Sequence, residues 1–177
     1  MSFAVDYRTN SASTAQIVEH LMCCDTDFVP PLSERVEIAN YAGKIVSKAA
    51  RFEAWSSGTL IGLVAAYCND LGRHIAHITS VSVVKEWTGK GIAARLIAHC
   101  IAHAKAAGMH QIGLEVAVAN VPAINLYKKS GFVSSGLDKP LDLMTLNLID
   151  EDIMNNKRDY NIEISDTNDH KYAYGFD

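Results

Sequence analysis

The sequence has no apolar run approaching the length of a membrane span, so no membrane partner is expected. Its N-terminus is mixed in polarity and lacks the apolar stretch of a secretory signal. None of the four cysteines forms a Cys-x-x-Cys pair, and Cys68 and Cys100 lie in apolar segments, where they read as reduced core residues. These absences lead to the expectation of a reducing, cytoplasmic location. There is no basic excess either. The formal net charge is −4, which argues against nucleic acid as the main partner. Internal repeats are missing, which excludes a solenoid.

What is present is an ordinary globular composition. The chain has 177 residues, 49% of them hydrophobic, enough for one domain with its own core. The charge is uneven: residues 1–149 carry 13 Lys and Arg against 12 Asp and Glu, whereas residues 150–177 carry 3 against 8. The chain therefore divides into a near-neutral domain, 1–149, and an acidic polar tail, 150–177. The tail is expected to be disordered or, through the alternation Tyr160-Asn161-Ile162-Glu163-Ile164, to add an edge strand.

Periodicity orders the domain. Phe3 to Arg8 reads as a first strand. Ala12 to Cys24 reads as a helix with Ile17, Leu21 and Cys24 on one face. Pro30-Pro31 makes Asp25 to Leu32 a loop. Ser33 is expected to cap a second helix that turns Ile38, Ala42, Ile45, Val46 and Ala49 inward. Arg51 to Ser56 and Thr59 to Asn69 make a hairpin across Ser57-Gly58, and His74 to Lys85 is the next strand. Leu141 to Leu148 is the last strand. The order predicts an α/β fold with a mixed central β-sheet and helices on both faces.

The most informative segment is Thr88-Gly89-Lys90-Gly91-Ile92-Ala93. Before it lies the β-branched run from Ile78 to Val84; after it Ile92, Leu96, Ile97, Cys100, Ile101 and Ala104 recur at helical spacing. The chain turns sharply between them, and two glycines let it do so with bare amides. Free N–H groups and the dipole at a helix start attract phosphate. This is not a Walker A loop, which needs four residues between its glycines and then Lys-Ser or Lys-Thr. Nor is it a dinucleotide fingerprint, because Ala94 stands where the third glycine belongs.

Downstream, Ile112 to Ala119 reads as a strand. Asn120 is placed as an N-cap, Pro122 follows in the first turn, Ala123, Leu126 and Tyr127 share a helical face, and Gly131 ends the helix before Phe132. With these residues in view, positions 58–135 resemble the Gcn5-related N-acetyltransferase (GNAT) superfamily. Thr88, Gly91 and Ala93 take the places of that family's Gln/Arg-x-x-Gly-x-Gly/Ala loop. The family pattern Asn-x-x-Ala-x-x-Leu-Tyr-x-x-x-Gly-Phe is met in full by Asn120, Ala123, Leu126, Tyr127, Gly131 and Phe132. Thr88 departs from the family by replacing a long polar side chain, with Lys90 and Arg95 as alternative sources of positive charge.

The resemblance implies the acyl-CoA N-acyltransferase fold, with two central strands splayed around the cofactor. It implies acetyl-CoA as co-substrate, bound by Val81, Val83, Thr88, Gly89, Lys90, Gly91, Ile92, Ala93, Asn120, Ala123 and Tyr127. It also implies an amine acceptor, with a small-molecule amine, an amino sugar and a protein N-terminus left open. In motif the segment is similar to ribosomal-protein N-terminal acetyltransferases, whose matching glutamate and tyrosine serve as base and acid. Amine acetylation needs both: an ammonium must lose a proton before attack, and the departing thiolate benefits from gaining one. Glu115 and Tyr127 are therefore the expected base and acid. The plainer alternatives are a solvent-facing strand carboxylate and a core tyrosine. Asp25, Phe28, Tyr41 and His77 are the candidates for the acceptor side. The (i, i+4) pair His99 and His103 lacks a third ligand and reads as surface, so no metal is expected. Edge strands of this fold pair, which makes a homodimer an expectation. The rival reading is a noncatalytic acyl-CoA-binding or protein-interaction module.

Overall fold

Among the described residues seven strands form one sheet in the order β1-β2-β3-β4-β5-β7-β6. In this computed structural model, residues 3–138 and 140–150 are described. The expectations for the acidic tail lie almost wholly outside them. Strand β1 (Asp6–Thr9) is followed by helices α1 (Thr14–Cys24) and α2 (Ile38–Lys48). Strands β2 (Ala50–Ser56), β3 (Thr59–Asp70) and β4 (Ile75–Val83) then form an antiparallel meander. Helix α3 (Ile92–Ala106) crosses to β5 (Gln111–Ala117), parallel to β4, and α4 (Val121–Lys129) leads to β6 (Val133–Asp138) and β7 (Leu141–Asn147). Among the described residues no helix is long and apolar enough to cross a membrane.

Local chemistry explains the element boundaries. Helix α1 starts with a capping box: the Ser13 hydroxyl accepts from Gln16 N–H, and the Gln16 side chain accepts from Ser13 N–H. The β2–β3 turn puts Ser57 at φ 48° and Gly58 at φ 78°, the paired positive values of a type I′ hairpin. One expectation fails here. Ser33 does not cap α2; it lies in a short 3-10 turn, Leu32–Glu34, and gives its N–H and hydroxyl to Asp25. The α2 cap is Glu37, whose carboxylate accepts from Ala39 and Asn40 N–H. A carboxylate at a helix N-terminus does the work of a hydroxyl and also answers the dipole.

The sheet is covered on both faces. Ile61, Val64 and Ala66 of β3 pack with Ile92, Leu96, Ile97 and Cys100 of α3, while Leu60, Leu63 and Ala65 pack with Ile17 and Leu21 of α1 and Ala42 and Ile45 of α2. Burial on both sides is why β3 reads as an unbroken apolar run rather than an alternating one. Helix α3 sits close to β3 because Gly62 has no side chain. A methyl group there would lie 3.0 Å from Ile92 Cγ2 and 3.2 Å from Leu96 Cδ1.

The α1 and α2 side is tied to the sheet by a buried polar cluster. The Glu53 carboxylate, fully buried on β2, accepts from Ser11 N–H and Oγ, Ala12 N–H and Trp55 Nε1. Arg51 lies beside it, with Nε 3.5 Å from Glu53 Oε1, and reaches the Val46 carbonyl with another nitrogen. His20 of α1 bridges the Leu60 carbonyl and the Ser82 hydroxyl, so it pins the helix to both β3 and β4.

The β4–β5 pair is the exception to full pairing. Only Ile75–His77 and Gln111–Gly113 are in register, although both strands continue. The cause lies on the other edge of β4, where Ala65 faces Ser80 but the next residue, Ala66, faces Ile78. Thr79 is an extra residue, and a bulge of this kind bends its strand. Beyond His77 the two strands part, giving the splay expected from the sequence resemblance.

Removing the Glu53 carboxylate should strand Arg51 and the donors at the entry to α1. Glu53→Leu is expected to cost about 3–5 kcal/mol, the range for breaking a buried ion pair from one side. The midpoint of urea unfolding followed by far-UV circular dichroism measures this loss.

Candidate active site

The cradle forms where β4 ends. A 3-10 turn, Lys85–Trp87, closes the strand, and Thr88 terminates it by donating its hydroxyl to the Lys85 carbonyl at 2.7 Å. That hydroxyl is engaged within the turn, so Thr88 offers the cradle chiefly its backbone. Gly89 and Gly91 follow at φ 74° and 77°, values that L side chains rarely adopt, and a Cβ at either would meet nothing within 4 Å. Gly91 is the N-cap of α3, makes no side-chain cap, and is followed by a first turn without acidic residues. The amides of Ile92, Ala93 and Ala94 precede the first α3 bond, from Arg95 N–H to the Gly91 carbonyl. The Ile92 side chain itself is buried in the core. Lys90 is exposed on the loop. The Arg95 guanidinium instead lies over the Tyr7 ring, 4.1 Å from its centroid, so Lys90 is the nearer of the two expected cations to the glycines in sequence.

Val81 and Val83 pack half-buried toward α3 along the part of β4 that has left β5. On the other side of the gap, Leu114 and Val116 of β5 point into the same core. By strand alternation Glu115 points to the opposite face, toward the α1 and α2 side, where it is only partly covered and lies opposite Leu143 of β7. Partial burial raises the Glu115 pKa above the ordinary carboxylate value.

Tyr127 approaches from the α3 and α4 face. It is buried in the core cluster, edge-on to Phe132, and burial pushes its pKa up to about 12. Glu115 and Tyr127 thus belong to opposite faces of the sheet, with the parted strands between them. Asn120 caps α4, its Oδ1 accepting from Ala123 N–H at 3.3 Å. Gly131, at φ 99°, ends the helix and lets Phe132 N–H return to the Tyr127 carbonyl.

The four acceptor-side candidates have different surroundings. Both Asp25 oxygens accept from Ser33, and these bonds hold its pKa below the usual carboxylate range. Phe28 packs half-buried against the α1 and α2 core. The Tyr41 hydroxyl donates to the Thr79 carbonyl at 2.7 Å, at the bulge itself. His77, its pKa lowered by burial, lines a cavity of about 180 Å³ on the face that also carries Glu115. Tyr67, Gln111, Leu143 and Thr145 line that cavity too, and sequence reasoning missed all four. They come from three strands, and only the sheet register brings them together. His99 and His103 stack edge-on with Tyr7 and Phe52.

Comparison with known proteins follows this geometry. Residues 14–132 match the acetyltransferase (GNAT) family model. An uncharacterized N-acetyltransferase of Methanocaldococcus jannaschii is 36% identical over 80 residues, which make up 43% of this chain and 35% of that protein. The chain thus spans about a third of the length of the curated relative it matches. Among solved structures, an acetyltransferase of Salmonella typhimurium with its cofactor acetyl-CoA has a TM-score of 0.66 at 19% identity, covering 83% of this chain and 95% of that one. A chimeric spermidine N-acetyltransferase from Vibrio cholerae has a TM-score of 0.64 at 21% identity, covering 81% and 95%. At these identities the structural likeness is one of fold.

The cap at Asn120 can be separated from any ligand contact. Asn120→Ala should cost about 1 kcal/mol of stability, and Asn120→Ser, which still caps, should cost a few tenths or less. Urea unfolding of the two variants without ligand checks this.

Proposed function

The chain belongs to the acetyltransferase (GNAT) family, and we propose that it is an acetyl-CoA-dependent N-acetyltransferase acting on a primary amine. The observation that carries this reading is the parting of β4 from β5 after His77 and Gly113, with a glycine cradle at one end and Glu115 at the rim. Residues 1–149 form the catalytic domain in this reading, and 150–177 an acidic appendage.

The residues present fit the co-substrate. Gly89 and Gly91 leave the cradle open where side chains would narrow it. The amides from Gly91 to Ala94 and the N-terminal end of α3 would hold the pyrophosphate, with Lys90 as counter-charge. The backbone from Val81 to Val83, facing the gap, would take the extended pantetheine arm as a strand takes a partner. Asn120 and Ala123 flank the gap from α4. When bound, acetyl-CoA supplies the acetyl group as a thioester.

Glu115 takes a proton from the acceptor ammonium. The freed amine nitrogen forms a bond to the thioester carbon, and the carbon–sulfur bond breaks. Tyr127 gives its phenolic proton to the departing sulfur and is restored by the second proton that the nitrogen sheds as it becomes an amide, leaving an N-acetylated amine, the CoA thiol and a protonated Glu115. These roles follow the similarity to ribosomal-protein N-terminal acetyltransferases. On the acceptor side Phe28, Tyr41 and His77 are retained, with Asp25 holding the loop through Ser33.

Two kinetic outcomes test the assignment. Tyr127→Phe should lower kcat about 100-fold or more with little change in the acetyl-CoA KM; an unchanged kcat would remove Tyr127 from the chemistry. In the wild type, kcat/KM should rise with pH as Glu115 ionises, with a midpoint above the ordinary carboxylate value. Glu115→Gln should flatten that limb, and a limb that survives the substitution would belong to another group.

A further inference from the structure

We infer that the acceptor is a small monoamine carried on a neutral, apolar or aromatic body, seated in the cavity between β3, β4, β5 and β7. The inference rests on the acetyltransferase reading and deepens it at the same site. Register places the cavity beside Glu115. Gly113 lines it, and Glu115 lies two residues further along the same face of β5, about 7 Å away at strand rise. Leu143, also a lining residue, is the cross-strand partner of Glu115. An amine whose body fills the cavity therefore presents its nitrogen toward the Glu115 carboxylate and the opening between β4 and β5.

The walls define the body. Tyr67, Ile75 and Leu143 offer aromatic and aliphatic surface, the lining that a neutral organic group prefers. Gln111 and Thr145 add uncharged polar atoms. Among the described residues the one carboxylate on the lining is Asp70, and it is paired. Arg73 Nε lies 3.0 Å from Asp70 Oδ2, and Arg73 N–H donates to Oδ1. Among the described residues the lining is thus neutral overall and provides no unpaired second anionic point for a chain of ammonium groups. Asp25, an acceptor-side candidate, is engaged by Ser33. A polyamine placed here would bury a charge without a partner, which is costly. A monoamine spends its single charge on Glu115, and acetylation removes that charge as the nitrogen–carbon bond forms and the CoA thiol leaves.

The test compares 2-phenylethylamine with spermidine and glucosamine at fixed acetyl-CoA. Wild-type kcat/KM should favour 2-phenylethylamine over each by about tenfold or more, a difference of about 1.4 kcal/mol. Gln111→Glu places an unpaired carboxylate in the wall at almost constant volume. It should move the ratio about tenfold toward spermidine, and Tyr67→Ala should lower the 2-phenylethylamine value alone. A wild type that prefers spermidine or glucosamine, or a Gln111→Glu ratio equal to the wild type, overturns the inference. Binding is read separately by amide NMR of the CoA-saturated protein. Adding 2-phenylethylamine should shift Tyr67, Gly113 and Thr145, and unmoved signals there overturn the inference whatever the turnover. Shifts at these residues with no acetyl transfer to any amine would support the cavity and count against the enzyme reading instead.

Discussion

The site depends on one structural event, the extra residue Thr79 in β4. Without it, β4 and β5 would stay paired along their length, and a closed sheet has no room for an extended arm between strands. With it, pairing stops at His77 and Gly113 and the strands diverge. Every functional assignment is referred to that gap. The cradle sits where the bent strand ends, Glu115 stands on one side of the sheet and Tyr127 is buried on the other. The Tyr41 hydroxyl on the Thr79 carbonyl gives the bulge a fixed partner, so the feature that opens the sheet is also held by α2.

Keeping such a gap open requires rigidity around it. The sheet is clamped from both faces by different chemistry. On the α3 side the clamp is close packing, made possible by Gly62 and tight enough that a single methyl group would disturb it. On the α1 and α2 side polar contacts are added to apolar packing: Glu53 gathers the amides at the entry to α1, and His20 joins that helix to β3 and β4. Burial lowers the His20 pKa and keeps the ring neutral, so Nδ1–H can donate to the Leu60 carbonyl while Nε2 accepts from Ser82. A protonated ring would have to donate from both nitrogens and would carry a charge into the core.

Much of this was legible in the chain because the signals are local. The cradle and α3 follow from two glycines and a 3.6-residue period, and α4 follows from Asn120, Pro122 and Gly131, which act within one turn of themselves. The double burial of β3 was visible as continuous apolarity. The boundary of α2 was not, because Ser33 and Glu37 are both acceptable caps and only the Asp25 contact, eight residues back, decides between them. Glu53 gave no sign of being buried, since its backbone donors, Ser11 and Ala12, come from about 40 residues away. The cavity had no linear signature either, because Tyr67, Gln111 and Thr145 meet only through the strand order β3-β4-β5-β7. That Thr88 replaces a long polar side chain was visible in the sequence, but the partner of its hydroxyl, the Lys85 carbonyl, was not.

The most direct test of the central claim is amide hydrogen exchange with and without saturating acetyl-CoA. If the parted edge of β4 and the start of α3 receive the co-substrate, exchange should slow in residues 78–84 and 89–95 while β1 and β2 stay unchanged. Unaltered exchange in both segments under conditions where acetyl-CoA binds would place the ligand elsewhere and contradict the account.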